Sequence, residues 1–118
     1  MALVYEPGDD LVFQVESGFG LMRVLAREGE GAARVWHVLV YRDFYPDVES
    51  ADAALASGRE LETREPHLAL TEHALEKTPA ARLGNRAVAP REIEAVEHWR
   101  ESRGGAQDRS VLLLIGMR

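Results

Sequence analysis

Apolar and polar positions alternate over the first third of the chain. After the turn residues Pro7-Gly8-Asp9-Asp10, Leu11, Phe13 and Val15 fall on one side and Gln14 and Glu16 on the other. A period of two with aromatic and β-branched residues predicts a half-buried strand. Ser17-Gly18 interrupts it, and residues 19–26 predict a second strand. Gly20 inside that strand marks a bulge or a close backbone approach. Glu28-Gly29-Glu30-Gly31 reads as a polar hairpin loop. Residues 34–41 give the strongest strand pattern. Trp36, Val38 and Val40 share one face, and Val35, His37, Leu39 and Tyr41 the other. Both faces are largely apolar, so this strand is expected to be central or to wrap round a barrel corner. Three strands with short connections predict an antiparallel meander over 9–45, the pattern of a small SH3-like barrel.

The period changes after residue 45. The Ala-rich stretch 50–57 predicts a short helix, capped by Asp47 or Ser50 and stopped by Gly58. Residues 67–70 read as a short strand. Thr71 then caps one or two helical turns over 72–77 before Pro79. The alternative is a strand continued to Leu75, which would place His67 and His73 on one face. Gly84-Asn85 reads as a turn between two short extended pieces over 82–88. Residues 90–103 give the best helix. Pro90 suits its first position, Glu92 and Glu94 sit near its start, and Arg100 and Arg103 near its end. Ile93, Val96 and Trp99 recur at helical spacing, and Gly104-Gly105 ends the run. Residues 110–116 are apolar on both faces and predict a last strand inserted between covered layers. The expectation is one α+β domain over residues 1–118. It combines an antiparallel SH3-like barrel or strongly bent sheet with an insertion over 46–89, the helix 90–103 and the strand 110–116. Leu68, Trp99, Val111, Leu113 and Ile115 are expected in its core.

Composition narrows the class. The 118 residues are 46% hydrophobic and 29% charged. A chain this size buries roughly two thirds of its surface on folding, enough for a core without staples. Cysteine is absent, which excludes disulfides, thiolate metal sites and cysteine nucleophiles. The net charge is −6, and the bases, all arginine except Lys77, form no stripe. Nucleic-acid binding relies on such a footprint and is not expected. The longest apolar run, 111–115, is too short to span a bilayer. The first seven residues carry no basic leader, so no signal peptide is expected and the protein is placed in the cytoplasm.

The candidate chemistry is sparse. Among His37, His67, His73 and His98 no short metal-ligand spacing occurs, and Glu94 with His98 reads as a surface pair. No serine sits in a nucleophile elbow. Gly18-Phe19-Gly20 opens a strand rather than a helix, so it is no phosphate loop. No catalytic residue, cofactor or metal is therefore assigned. A small enzyme centred on His37 remains an alternative. It needs a concave pocket that brings a carboxylate to that ring. The stretch leaving the third strand is the more informative one. Tyr41, Asp43, Phe44, Tyr45, Asp47, Glu49 and Asp52 interleave aromatics with acids, a composition common at binding surfaces. They are the candidate partner-binding residues, and a basic protein is the partner they fit. The domain is expected to be a monomer or homodimer.

Pro7-Gly8-Asp9, the strand from Leu11 to Val15 and Gly18-Phe19-Gly20-Leu21-Met22-Arg23-Val24-Leu25 together resemble an SH3-like-barrel family of bacterial immunity proteins. Leu70-Thr71 to Leu75 and Leu83-Gly84-Asn85-Arg86 are similar to later elements of that family. The resemblance covers residues 5–90 and implies neutralisation of a cognate toxin by binding. The chain departs from the pattern at Ala80-Ala81, where the family has an aromatic, and after residue 90. The N-terminal residues also resemble the RNA-polymerase-interacting domain of CarD-type regulators, with Ser17 in place of a histidine. That likeness implies a polymerase subunit as partner. Both agree on a protein-binding barrel, and neither settles function by fold alone.

Overall fold

A computed structural model describes residues 4–116. The opening residues 1–3, part of the stretch read for a leader, lie outside the described residues. Five strands form one antiparallel sheet: β1 (Asp9–Val15), β2 (Gly18–Glu28), β3 (Val35–Tyr41), β4 (Thr63–Thr71) and β5 (Ala80–Asn85). Their spatial order is β4-β3-β2-β1-β5. The fold is α+β, with the meander β1-β2-β3 at its centre and β4 and β5 at the edges. Among the described residues four α-helices complete it, α1 (Val48–Ala56), α2 (Glu72–Glu76), α3 (Pro90–Glu101) and α4 (Val111–Leu114), with a single 3-10 turn at Gly31–Ala33.

Strand alternation puts a separate core on each face. Leu11, Phe13, Val15, Met22, Val24, Trp36, Val38 and Val40 point to one face, where α2 and α4 close over them. Val12, Leu21, Leu25, Leu39 and Tyr41 point to the other, under Ala51 of α1 and Val96 of α3. The two-sided apolar pattern of β3 thus has the expected cause. The strand is central, and Trp36, His37, Val38 and Val40 are fully buried. Trp36 also donates Nε1–H to Glu72 Oε1 at 2.6 Å, which satisfies its polar edge inside the core.

Caps fix the helix starts. Asp47 accepts from the Ser50 N–H at 2.7 Å, and Thr71 Oγ1 accepts from the Ala74 N–H at 3.0 Å. The turn at Thr71 separates His67 from His73, so these do not share a face. Glu94 and His98 are both exposed on α3.

Three local expectations fail. Residues 110–116 are not a strand: Ser110 caps the helix Val111–Leu114. Val111 and Ile115 are buried four residues apart, whereas Leu113 is 59% exposed. A short run of apolar residues has no period to distinguish strand from helix. The chain is tied to the sheet slightly earlier, where Gln107 bridges in parallel to Leu70. Gly84-Asn85 is not a turn but the end of β5, paired with Asp10 and Asp9. Strand β4 also begins earlier than residue 67, because its first half pairs with the end of β3.

Gly20 marks no bulge in the β1–β2 ladder. The irregularity of β2 lies between Val24 and Ala26, and it turns Leu25 and Ala26 to the same face. Gly20 instead pairs with Phe13, and a Cβ there would sit 2.5 Å from the Phe13 ring. Phe13 is packed in the core and cannot yield. Gly20→Ala is expected to destabilise the domain by about 1–3 kcal/mol through overpacking, read by urea unfolding.

Candidate functional site

The seven residues singled out between 41 and 52 divide by chemistry. Tyr41 is buried, and its hydroxyl accepts from Arg86 Nη2 at 3.2 Å. Burial pushes its phenol up, and the Arg86 bond opposes that. Phe44 packs against the first core and stacks under the Arg64 guanidinium at 5.3 Å. Tyr45 packs against the second core. The Tyr45 backbone exchanges two hydrogen bonds with Phe19, both 2.8 Å. The three aromatics are therefore anchors that hold the segment on the sheet, with Phe44 and Tyr45 still half-exposed.

Asp43, Asp47, Glu49 and Asp52 are all exposed. They run from the end of β3 across the first turn and a half of α1. Arg42 pairs with Asp43 at 3.1 Å and also with Glu62. Asp47 spends one oxygen on its cap, and the hydrogen bond to Ser50 lowers its carboxyl below the usual range. Val48 adds an exposed apolar side chain within this acidic ridge.

Two polar clusters were not foreseen, and both lie under α3. At its start, Arg23 is almost fully buried in the middle of β2. Its Nε donates to Glu92 Oε2 at 2.7 Å and its Nη1 to the Gly8 carbonyl at 2.9 Å. Its Nη2 donates to the Arg86 and Ala87 carbonyls, each at 3.0 Å. Arg86 reaches back with a bidentate grip on Asp10, at 2.7 and 2.9 Å. Asp9 accepts from Asn85 Nδ2 at 2.8 Å. Burial pulls the Glu92 carboxyl up, but the bonds from Arg23 and the Ala89 N–H outweigh it and hold the acid low. This knot joins β1, β2, β5 and α3. A lone arginine between Leu21-Met22 and Val24-Leu25 was the signal that could have found it.

At the other end of α3 lies His37, on the face of β3 that carries Leu39. Its ring is fully buried. His37 Nδ1 and His67 Nε2 are 2.8 Å apart, and the rings stack with centroids 5.1 Å apart. Trp99 meets the His37 ring edge-on at 4.7 Å. Glu28 Oε1 stands 3.7 Å from His37 Nε2 and is itself held by Arg100. His37 Nε2 has no hydrogen-bond partner among the described residues. Burial, with His67 and Arg100 adding to it against Glu28, holds the His37 imidazole down to about 4. Burial also lowers His67. Asp43, near His37 in sequence, lies at the surface beyond the end of β3, and the carboxylate beside the ring is Glu28. Among the described residues no group of three or more His, Asp or Glu is arranged to hold a metal ion. None of their helices is long and apolar enough to cross a membrane.

Scans against family models, curated proteins and solved structures return no match to this chain.

Proposed function

We propose that this domain is a non-catalytic protein-binding module of the immunity-protein kind, acting in the cytoplasm as a monomer or homodimer. Its recognition surface is the acidic ridge of Asp43, Asp47, Glu49 and Asp52, with Phe44, Tyr45 and Val48 as apolar contacts. The observation that carries this reading is the exposure of four carboxylates along one short segment, with Arg42 its nearest compensating cation. Such a concentration of one sign steers a basic partner and speeds its encounter. The half-exposed aromatics beside it supply area that a charge cluster alone lacks. Tyr41 belongs to the support of this surface rather than to its contact face, since its ring is buried. The His37 ring, shut in by His67 and Trp99, offers a substrate no access, which favours binding over catalysis.

The test is capture of partners from a lysate of the source organism at low and moderate salt, with identification by mass spectrometry. A stoichiometric protein partner that is lost at the higher salt supports the reading. A toxin-like partner favours the immunity kind, and a polymerase subunit favours the CarD-type alternative. A partner held equally at both salts would contradict recognition by the ridge.

A further inference from the structure

Beyond the ridge, at the other end of α1, the second face of the sheet opens into a concavity of about 390 Å³. Its apolar lining is Leu39, Leu55 and Leu61, and Arg59, Arg86 and Arg91 supply its cations. We propose that this concavity binds a small organic monoanion with an apolar body, such as an aryl- or alkyl-carboxylate. The inference stands independently of the protein-binding reading, because it uses none of the ridge carboxylates.

Charge decides the class of ligand. Arg86 is committed to Asp10 and Tyr41 through Nε and Nη2, and the four-membered set of Arg23, Arg86, Asp10 and Glu92 is neutral as a whole. Arg91 pairs with Glu60 at 3.2 Å, where both side chains are more than 70% exposed. Such a surface pair contributes little and yields readily to a better acceptor. Arg59 forms no salt bridge among the described residues. The cavity therefore carries one uncompensated positive charge, inside a chain whose net charge is −6. One anionic group matches that surplus, whereas a polyphosphate would overshoot it and meet Glu60 and Glu92.

Size and polarity decide the rest. A volume near 390 Å³ corresponds to roughly 13 waters. That space suits a body of roughly a dozen non-hydrogen atoms, at the small end of ligand sites. Leu39 and Tyr41 are buried beneath it, so the body would rest on a fixed floor. The wall is less fixed. Residues 57–62 connect α1 to β4 without regular structure, and Arg42 N–H holds the far end through the Glu62 carbonyl at 2.9 Å. The carboxylate would lie between Arg59 and Arg91, displacing Glu60.

The experiment is a titration of the full chain with 4-phenylbutyrate and its uncharged amide, followed by backbone amide chemical shifts. The expected result is saturable one-to-one binding with a Kd on the order of a millimolar, as ligands of this size allow. Its shifts should centre on residues 55–63. Arg59→Gln should weaken the carboxylate by about fivefold while leaving the amide unchanged, as loss of one charge-assisted contact requires. Arg59 is exposed and makes no salt bridge among the described residues, so this variant tests the site without testing the fold. Equal affinity for acid and amide, or shifts centred away from 55–63, would overturn the proposal, as would no saturation at tens of millimolar.

Discussion

Arg23→Met is expected to be among the most damaging single substitutions in this domain, costing about 3–5 kcal/mol. The cause is not the loss of one ion pair. Arg23 fills the space among Gly8, Asp10, Arg86, Ala87 and Glu92 and donates to three backbone carbonyls as well as to Glu92. Without it the Arg86 and Ala87 carbonyls lose their side-chain donor, the Gly8 carbonyl keeps only the Arg86 N–H at 2.9 Å, and the Glu92 carboxylate is left under α3 with the Ala89 N–H. A domain of this size has a total stability of about 5–15 kcal/mol. The melting temperature should therefore fall by more than about 10 °C. The double variant Arg23→Met, Glu92→Met separates pairing from packing. Removing both charges should recover part of the loss, because the unpaired acid is then gone. A single variant that melts within about 3 °C of wild type would show that the knot is dispensable.

The second large effect is with pH. The native state holds His37 neutral, with its imidazole near 4, while the unfolded chain takes up the proton near 6.5. Below the unfolded value the unfolded state binds more protons, so acid favours it. The contribution is fully present above about pH 6.5 and is lost progressively down to about pH 4. Geometry supplies the same sign. Two fully protonated rings would present a donor to a donor across the 2.8 Å His37–His67 contact. Glu28 on β2 would partly compensate a charged His37, and Arg100 on α3 would oppose it. Between about pH 7.5 and about pH 4.5 the His37 site should remove roughly 2–3 kcal/mol of stability. Urea unfolding of wild type and His37→Leu at both values isolates that share from the carboxylates, which titrate in both proteins. Parallel losses in the two proteins would show that His37 is not the group responsible.

The meander was legible because alternation is a direct readout of which face is buried. Leu11, Phe13 and Val15 lie where their period puts them, and β3 is central as its two apolar faces require. The caps at Asp47 and Thr71 were legible for a similarly local reason: a short polar side chain beside a helical run has one favourable use. The tail was not. Residues 111–115 are apolar at every position, and only the tertiary choice of which side chains to bury makes them a helix. The glycines divide. Gly84 looked like punctuation but lies in a strand, whereas Gly20 marks a close approach, that of the Phe13 ring, and not a bulge.

The motif residues behind the family resemblance have a structural explanation. Gly8, Asp9, Arg23, Asn85 and Arg86 all belong to the knot that fastens β1, β2, β5 and α3. A similar arrangement of these residue types suits a similar sheet, whatever the sheet binds. The His37–His67 pair was invisible because its members are 30 residues apart, and no local pattern shows which strands will become neighbours. The acidic stretch was legible in composition, and its exposure follows from position. Its aromatics face the cores, so its acids have only solvent to face.

The proposed role of the acidic ridge in recognising a protein is read from the dissociation constant of the captured partner for wild type and for Asp43→Lys, Glu49→Lys, Asp52→Lys. Melting curves of both proteins accompany it. These three side chains are exposed, and surface substitutions of this kind each shift stability by only about 0.5 kcal/mol. The expected result is a nearly unchanged melting temperature and a partner bound at least about tenfold more weakly, a difference of about 1.4 kcal/mol. An unchanged dissociation constant in the folded triple variant would contradict it.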